Sequence, residues 1–393
     1  MPLSSRVKRI ALTTGMLVVL IAGLIGVLTP VLLERWLNNY DLQSAFHKAT
    51  GGTISTGAIR LGLFPAPHLT IPSGVIDLPD STSGRWQKIR IQPALTSIFS
   101  EQVRFKKLKI IAPDFRLNTR FFYKDGQQPV PEATDELTSE RLHRILLAAS
   151  QQMGAGVKWL AERAPDARVD IRQGRLHLIE NAVLPPLAFH AVDARLQLPS
   201  DVLRIELDCQ SSLFKALRVA GEVDAATLVG QLTMWFKSLD ARQLADITGP
   251  GRSLARLEGQ MSGHATVDLK GGDRIESHLS FRLPQLLLQR LETPVTIQNV
   301  FMDGTATFDK ASLRLNLDRL YAEQPKANLT GHFQMEADFP GLRLHLVGSR
   351  IDIAEVRRAT LAMVGDHPGA TKIFDVLRAG SVPWISWRTE GPH

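Results

Sequence analysis

The side chains that could hold a metal or move a proton are eleven histidines, one cysteine and 39 acidic residues in a chain of 393. Their spacing does not gather them. No two histidines stand four apart in one helix, and H-E-x-x-H, which sets two imidazoles on one helical face for zinc, is absent. Cys209 is alone, so it can form neither an internal disulfide nor a cysteine-rich zinc site. No G-x-S-x-G presents a nucleophile, and no G-x-x-x-x-G-K-[ST] cradles a phosphate. Gly57 to Gly62 lacks the third glycine of a dinucleotide loop. Asn328-Leu329-Thr330 matches a glycosylation sequon, which means little without a eukaryotic secretory context. The residues therefore point to no catalytic group, no metal and no cofactor.

Charge tells a similar story. The net charge is +7, with arginine outnumbering lysine. Nucleic-acid binding calls for a concentrated basic patch with stacking aromatics. Here the basic residues alternate with apolar ones along the chain, as on the solvated side of a sheet. A solvated outer face is the better reading of these charges; the single cluster, Arg104-Phe105-Lys106-Lys107-Leu108-Lys109, could also attract anionic lipid headgroups.

The elements that carry these residues are mostly strands. Leu203-Arg204-Ile205-Glu206-Leu207 alternates with period two, as do Leu279-Ser280-Phe281-Arg282-Leu283 and Leu313-Arg314-Leu315-Asn316-Leu317. At least a dozen such runs, bounded by Gly, Pro, Ser or Asp, predict an antiparallel mainly-β protein. Helical spacing is confined to Asp41 to Thr50, residues 134–164, Asp240 to Ile247, Ile353 to Val364 and Ala370 to Arg378. One side of strand after strand is apolar, yet few helices are available to cover it. The expected fold is an elongated curved antiparallel sheet that keeps an apolar groove open. Leu203, Ile205, Leu207, Leu279, Phe281, Leu283, Leu313, Leu315 and Leu317 are its candidate lining.

The first residues differ in kind. Ile10 to Leu33 carries no charge over 24 residues, which is long enough to span a hydrocarbon core of about 30 Å. Arg6, Lys8 and Arg9 precede it, placing the N-terminus in the cytoplasm. The run is longer than a signal-peptide core, and Leu28 to Glu34 offers no small-x-small cleavage site. An uncleaved single-pass anchor is therefore expected, with the bulk of the chain in a bacterial periplasm.

The first 120 residues resemble the N-terminal region of the AsmA family. The resemblance rests on the span, then Ala49-Thr50-Gly51-Gly52, then Ile59-Arg60-Leu61 leading into Leu63-Phe64-Pro65-Ala66-Pro67-His68-Leu69. It continues through Ile89 to Leu95, Ile98-Phe99-Ser100 and Leu108 to Phe115. The closing stretch Gly365 to Pro368 and Ile373 to Gly380 also resembles longer AsmA-like proteins. The resemblance implies a non-enzymatic, inner-membrane-anchored periplasmic protein. Its expected partners are phospholipid acyl chains, the inner membrane and envelope proteins that extend the groove. Its expected role is phospholipid traffic between inner and outer membrane, and envelope maintenance. An assembly factor for outer-membrane proteins is the alternative. The expected organisation is a tail at 1–9, a transmembrane helix at 10–33, an AsmA-like β-rich region at 34–130, a helical insertion at 131–166, a β-groove at 167–350 and a closing helical segment with a strand at 351–393. Longer family members continue past this point, so a continuing reading frame, or partners that lengthen the groove, is expected.

Overall fold

The computed structural model describes residues 42–64, 66–78, 82–94, 105–118, 166–179, 187–248, 256–271, 274–289, 294–309, 312–336, 341–364 and 368–392. The expected transmembrane helix at 10–33 and nearly all of the helical insertion at 131–166 lie outside them. Among the described residues no helix is long and apolar enough to cross a membrane.

Helix α1 (Leu42–Thr50) opens the described chain and ends at Gly51, whose φ of 70° and N–H bond to the His47 carbonyl (2.8 Å) close it. Four bent strands follow, each recorded as two short ones: β1 (Thr53–Thr56) with β2 (Arg60–Gly62), β3 (His68–Ile71) with β4 (Gly74–Asp77), β5 (Ser83–Trp86) with β6 (Lys88–Pro93), and β7 (Phe105–Ile111) with β8 (Asp114–Asn118). On one side of the bend β2, β3, β6 and β7 pair in that order; on the other β1, β4, β5 and β8 do. The bends fall at Gly57, Pro72 and Ala112-Pro113, where a glycine, a missing N–H or a left-handed φ (47° at Ala112) interrupts the ladder, and at Gln87, whose N–H donates to the Ile111 carbonyl (3.1 Å).

The antiparallel expectation needs correcting at the next strand. β9 (Arg168–Ile179) runs parallel to β7 through Lys107 and Arg168, and parallel to β8 through Asp114 and Arg175. The sheet is therefore mixed. A parallel step needs a long crossover, and here the chain supplies residues 119–165 between the partners. At the bend Ala112 N–H donates to the Arg172 carbonyl (2.8 Å), and Arg175 N–H to that of Pro113 (2.6 Å).

From β9 the chain meanders through antiparallel hairpins. The strands are β10 (Leu187–Gln197), β11 (Val202–Ser211), β12 (Ala216–Asp224), β13 (Val229–Asp240), β14 (Arg256–Lys270), β15 (Arg274–Gln289), β16 (Val295–Asp309), β17 (Ser312–Ala322), β18 (Ala327–Glu336), β19 (Gly341–Asp352) and β20 (Ser381–Pro392). All twenty strands join one curved sheet. Among the described residues three α-helices interrupt the meander: α2 (Ala241–Thr248), α3 (Ile353–Val364) and α4 (Pro368–Val376). Asp240 caps α2 by accepting the Gln243 N–H (3.0 Å), and Asp352 caps α3 by accepting that of Glu355 (3.0 Å). Ala241 of α2 and Ala359 and Ala362 of α3 bury against Leu257, Leu288 and Ile297 of β14, β15 and β16. A smaller cluster of Leu198, Leu203 and Ala225 closes the turns around β10, β11 and β12.

Candidate functional site

Strand register decides what the alternation amounts to. Residues opposite each other on paired strands point to the same side. Starting from Leu61 on β2, the partners are Leu69, Ile91, Leu108, Val169 and Leu196. The row then runs through Ile205, Gly221, Leu232, Val267, Ser277, Ala306, Leu315, Phe333, Leu344 and Thr389. It crosses sixteen strands and carries no charge. At strand spacing its length along the sheet is about 70 Å.

Shifting one residue along each strand inverts the chemistry. That row begins Arg60, Thr70, Arg90, Lys109, Asp170, Arg195 and Glu206. It continues Ala220, Thr233, Thr266, His278, Thr305, Asn316, His332, His345 and Arg388. The sheet therefore has one apolar side and one polar side over nearly its whole width.

The structure places all nine candidate lining residues on the apolar side. Leu207 reaches Leu279 and Leu317 through Val219, Met234, Ala265 and Gly304. Leu203 shares a row with Leu313, and Ile205 with Leu315. Phe281 stands opposite Met302, and Leu283 opposite Val300. Their exposure differs, however. Leu203 (3% exposed) is sealed by Leu198 and Ala225, and Leu283 (5%) is buried opposite Val300, which packs on the cluster under α2 and α3. The other seven are half-buried and line the open part.

Two features of this side escape a reading strand by strand. The first is glycine. At Gly221, Gly263 and Gly304 a Cβ would collide with the carbonyl oxygen of Gln231, Ser280 and Asn316 on the neighbouring strand. The backbone is pinched toward the apolar side, which makes it the inner side of the curve. The second is a set of slips in alternation. Gln173, Ala191, Ser238, Asn299 and Arg350 take positive φ within β9, β10, β13, β16 and β19. At each the strand gains one residue of phase. On β16, Val300 faces inward, Asn299 is left-handed, and Ile297 and Val295 return to the inner cluster. Opposite them Pro284 and Gln285 are both exposed, and Leu286 and Leu288 resume the inner side. The outward shoulders of two slips are bonded: Gln173 N–H donates to Asp193 (3.0 Å) and Ser238 N–H to Ser262 (3.0 Å).

The polar side has its own geometry. Asp170, 4% exposed, receives Arg168 at 2.9 Å, Lys107 at 3.5 Å and Arg195 at 3.5 Å. Burial pushes its carboxyl up, but the bonds and charges of Arg168 and Lys107 outweigh this and hold it below the usual carboxylate range. This is a structural ion cluster at the seam where β7, β9 and β10 meet. Burial, with the Asp208 charge, raises the Cys209 thiol to about 11, so it is not a nucleophile near neutral pH. An open depression lies on the polar side, lined by His264, Ser280, Arg282, Phe301 and Tyr321, with Arg319 stacked 5.8 Å from the Phe301 ring. Among the described residues no three metal-ligating side chains come together. No family model matches the chain, and no curated protein or solved structure matches it.

Proposed function

We propose that this chain is a membrane-anchored periplasmic lipid-handling protein that holds acyl chains on the apolar side of its sheet. It would serve phospholipid traffic between inner and outer membrane and envelope maintenance, as the resemblance to the AsmA family implies. The observation that carries the reading is the uncharged row through sixteen strands, half-buried along most of its length, with α2 and α3 packed elsewhere on that side, on Leu257, Leu288 and Ile297. An acyl chain laid along it gains about 0.8 kcal/mol for each methylene removed from water. Headgroups stay in solvent, and no proton transfer or bond cleavage is required. The anchor would be Ile10 to Leu33.

The test is photo-crosslinking in cells at paired positions. Probes at Leu207, Leu279 and Leu317 are expected to capture lipid. Probes at Glu206, His278 and Asn316, on the same strands but facing outward, are expected to capture none. Equal labelling on both sides, or none on either, overturns the groove. A second reading, assembly of outer-membrane proteins, has one observation in its favour: among the described strands β20 pairs only with β19, leaving its other edge open to a foreign strand. Native mass spectrometry separates the two, since stoichiometric lipid supports the first and a co-purifying barrel protein without lipid supports the second.

A further inference from the structure

We propose that the side of the sheet formed by β2, β3, β6 and β7, together with the β2–β3 hairpin tip, docks on an anionic lipid bilayer. The proposal rests on the membrane attachment inferred above and adds which surface meets the headgroups. Two independent features coincide at this place. The first is Phe64, 89% exposed in the β2–β3 connection. Register puts that tip at the same end of the strands as Pro93 and Phe105, which close β6 and open β7. A single exposed aromatic is ordinary on a protein surface; beside a basic face it has the form of an interfacial wedge.

The second feature is charge. These four strands hold Arg60, Lys88, Arg90, Lys106, Lys107 and Lys109, and no aspartate or glutamate. Arg60, Arg90 and Lys109 share one cross-strand row on the polar side, interrupted only by Thr70. Lys107 reaches Asp170 at the seam, and the other five form no ion pair with a described residue. Elsewhere on the polar side, strands also carry acids, and several cations are matched: Arg204 to Glu222 (2.9 Å), Arg195 to Glu206 (3.1 Å) and Arg343 to Glu390 (2.9 Å). An uncompensated basic face repels a second copy of itself and attracts a negative surface. Each basic residue near anionic lipid strengthens binding roughly fivefold.

The experiment uses the full chain with Cys209→Ala and one new cysteine carrying an environment-sensitive fluorophore. Phe64→Cys reports the wedge, and Val376→Cys, also highly exposed but at the end of α4, is the control. The labelled chains are reconstituted into phosphatidylcholine vesicles with or without phosphatidylglycerol, and quenched by spin-labelled lipid. The expected result is quenching at position 64 but not at 376. It should depend on phosphatidylglycerol and fall about tenfold or more on adding Arg60→Glu with Arg90→Glu. Chains that float with vesicles but show no more quenching at 64 than at 376 overturn the docking surface and leave the anchor standing. Quenching at 64 that ignores both phosphatidylglycerol and the charge reversal also overturns it. Failure to float with either vesicle removes the membrane attachment, and both inferences fall together.

Discussion

The first lobe, β1 to β8, and the meander, β10 to β20, carry the same inner side and opposite outer sides. Inward, both continue one apolar row without a break at the parallel seam. Outward, β2, β3, β6 and β7 of the lobe hold no acid and leave Arg60, Lys88, Arg90, Lys106 and Lys109 without an ion pair among the described residues, whereas the meander answers several of its cations with glutamates and aspartates across adjacent strands. The two sides answer to separate demands. Burial fixes the inner pattern everywhere, because a one-residue slip would turn charges inward. The outer pattern is free to vary, so where it departs from balanced pairing the departure carries information.

The two regions meet at the seam, where the largest effect is expected. Asp170→Asn removes the one carboxylate shared by Lys107 of the lobe and Arg195 of the meander. It should cost about 3–5 kcal/mol in chemical denaturation, because the cations lose their buried partner. The carboxyl is held below its unfolded value, so its contribution is complete above the ordinary carboxylate range and is lost as pH falls through the depressed folded value. Acid should therefore loosen wild type toward the variant, while the variant loses less over the same interval. A uniform acid response of both proteins would show that Asp170 does not join the regions.

The next effect concerns curvature. Gly304→Val meets the backbone carbonyl of Asn316, which cannot step aside, and should lower stability by about 1–3 kcal/mol in thermal denaturation. Gly62→Ala in the lobe meets only the His68 ring. That ring can turn, so a smaller loss is expected. Equal losses would mean that the two regions curve by the same means. The smallest effect belongs to the matched outer charges. A double-mutant cycle on Arg204 and Glu222, both more than half exposed, should give a coupling of at most about 1 kcal/mol. A larger coupling would make the pairing a stabilising device rather than a balance of charge.

Much of this was legible in the residues. Period-two alternation at Leu203, Leu279 and Leu313 located strands, and register then put all nine expected residues on one side. Gly51-Gly52 marked the end of α1, and helical spacing at Asp240 to Ile247 and Ile353 to Val364 located α2 and α3. Three things were not legible. The parallel pairing of β9 depends on where the chain returns after residue 118, which no local pattern records. The slips at Ser238, Asn299 and Arg350 are left-handed residues of ordinary type, whose role appears only against a neighbouring strand. Leu203 and Leu283 alternate like their neighbours, and their deeper burial comes from Leu198 and from the helical cluster, contacts distant in sequence or set by turns.

The slips can also be considered as a matter of frame. In a strand, side-chain facing is a two-valued quantity that each added residue flips. A left-handed residue is an insertion that the backbone absorbs without shifting the hydrogen-bonded partners beyond it by more than one place. Loss of a single residue at Asn299 would leave β16 one residue short against Pro284 and Gln285 of β15, and send Val295 and Ile297 to the solvent side, away from Ala359 and Ala362. The helices α2 and α3 would then face polar Thr296 and Gln298. Long strands of this sheet are thus written in two frames, with the left-handed residue as the junction between them, and a one-residue change of length at that junction alters the protein more than most substitutions could.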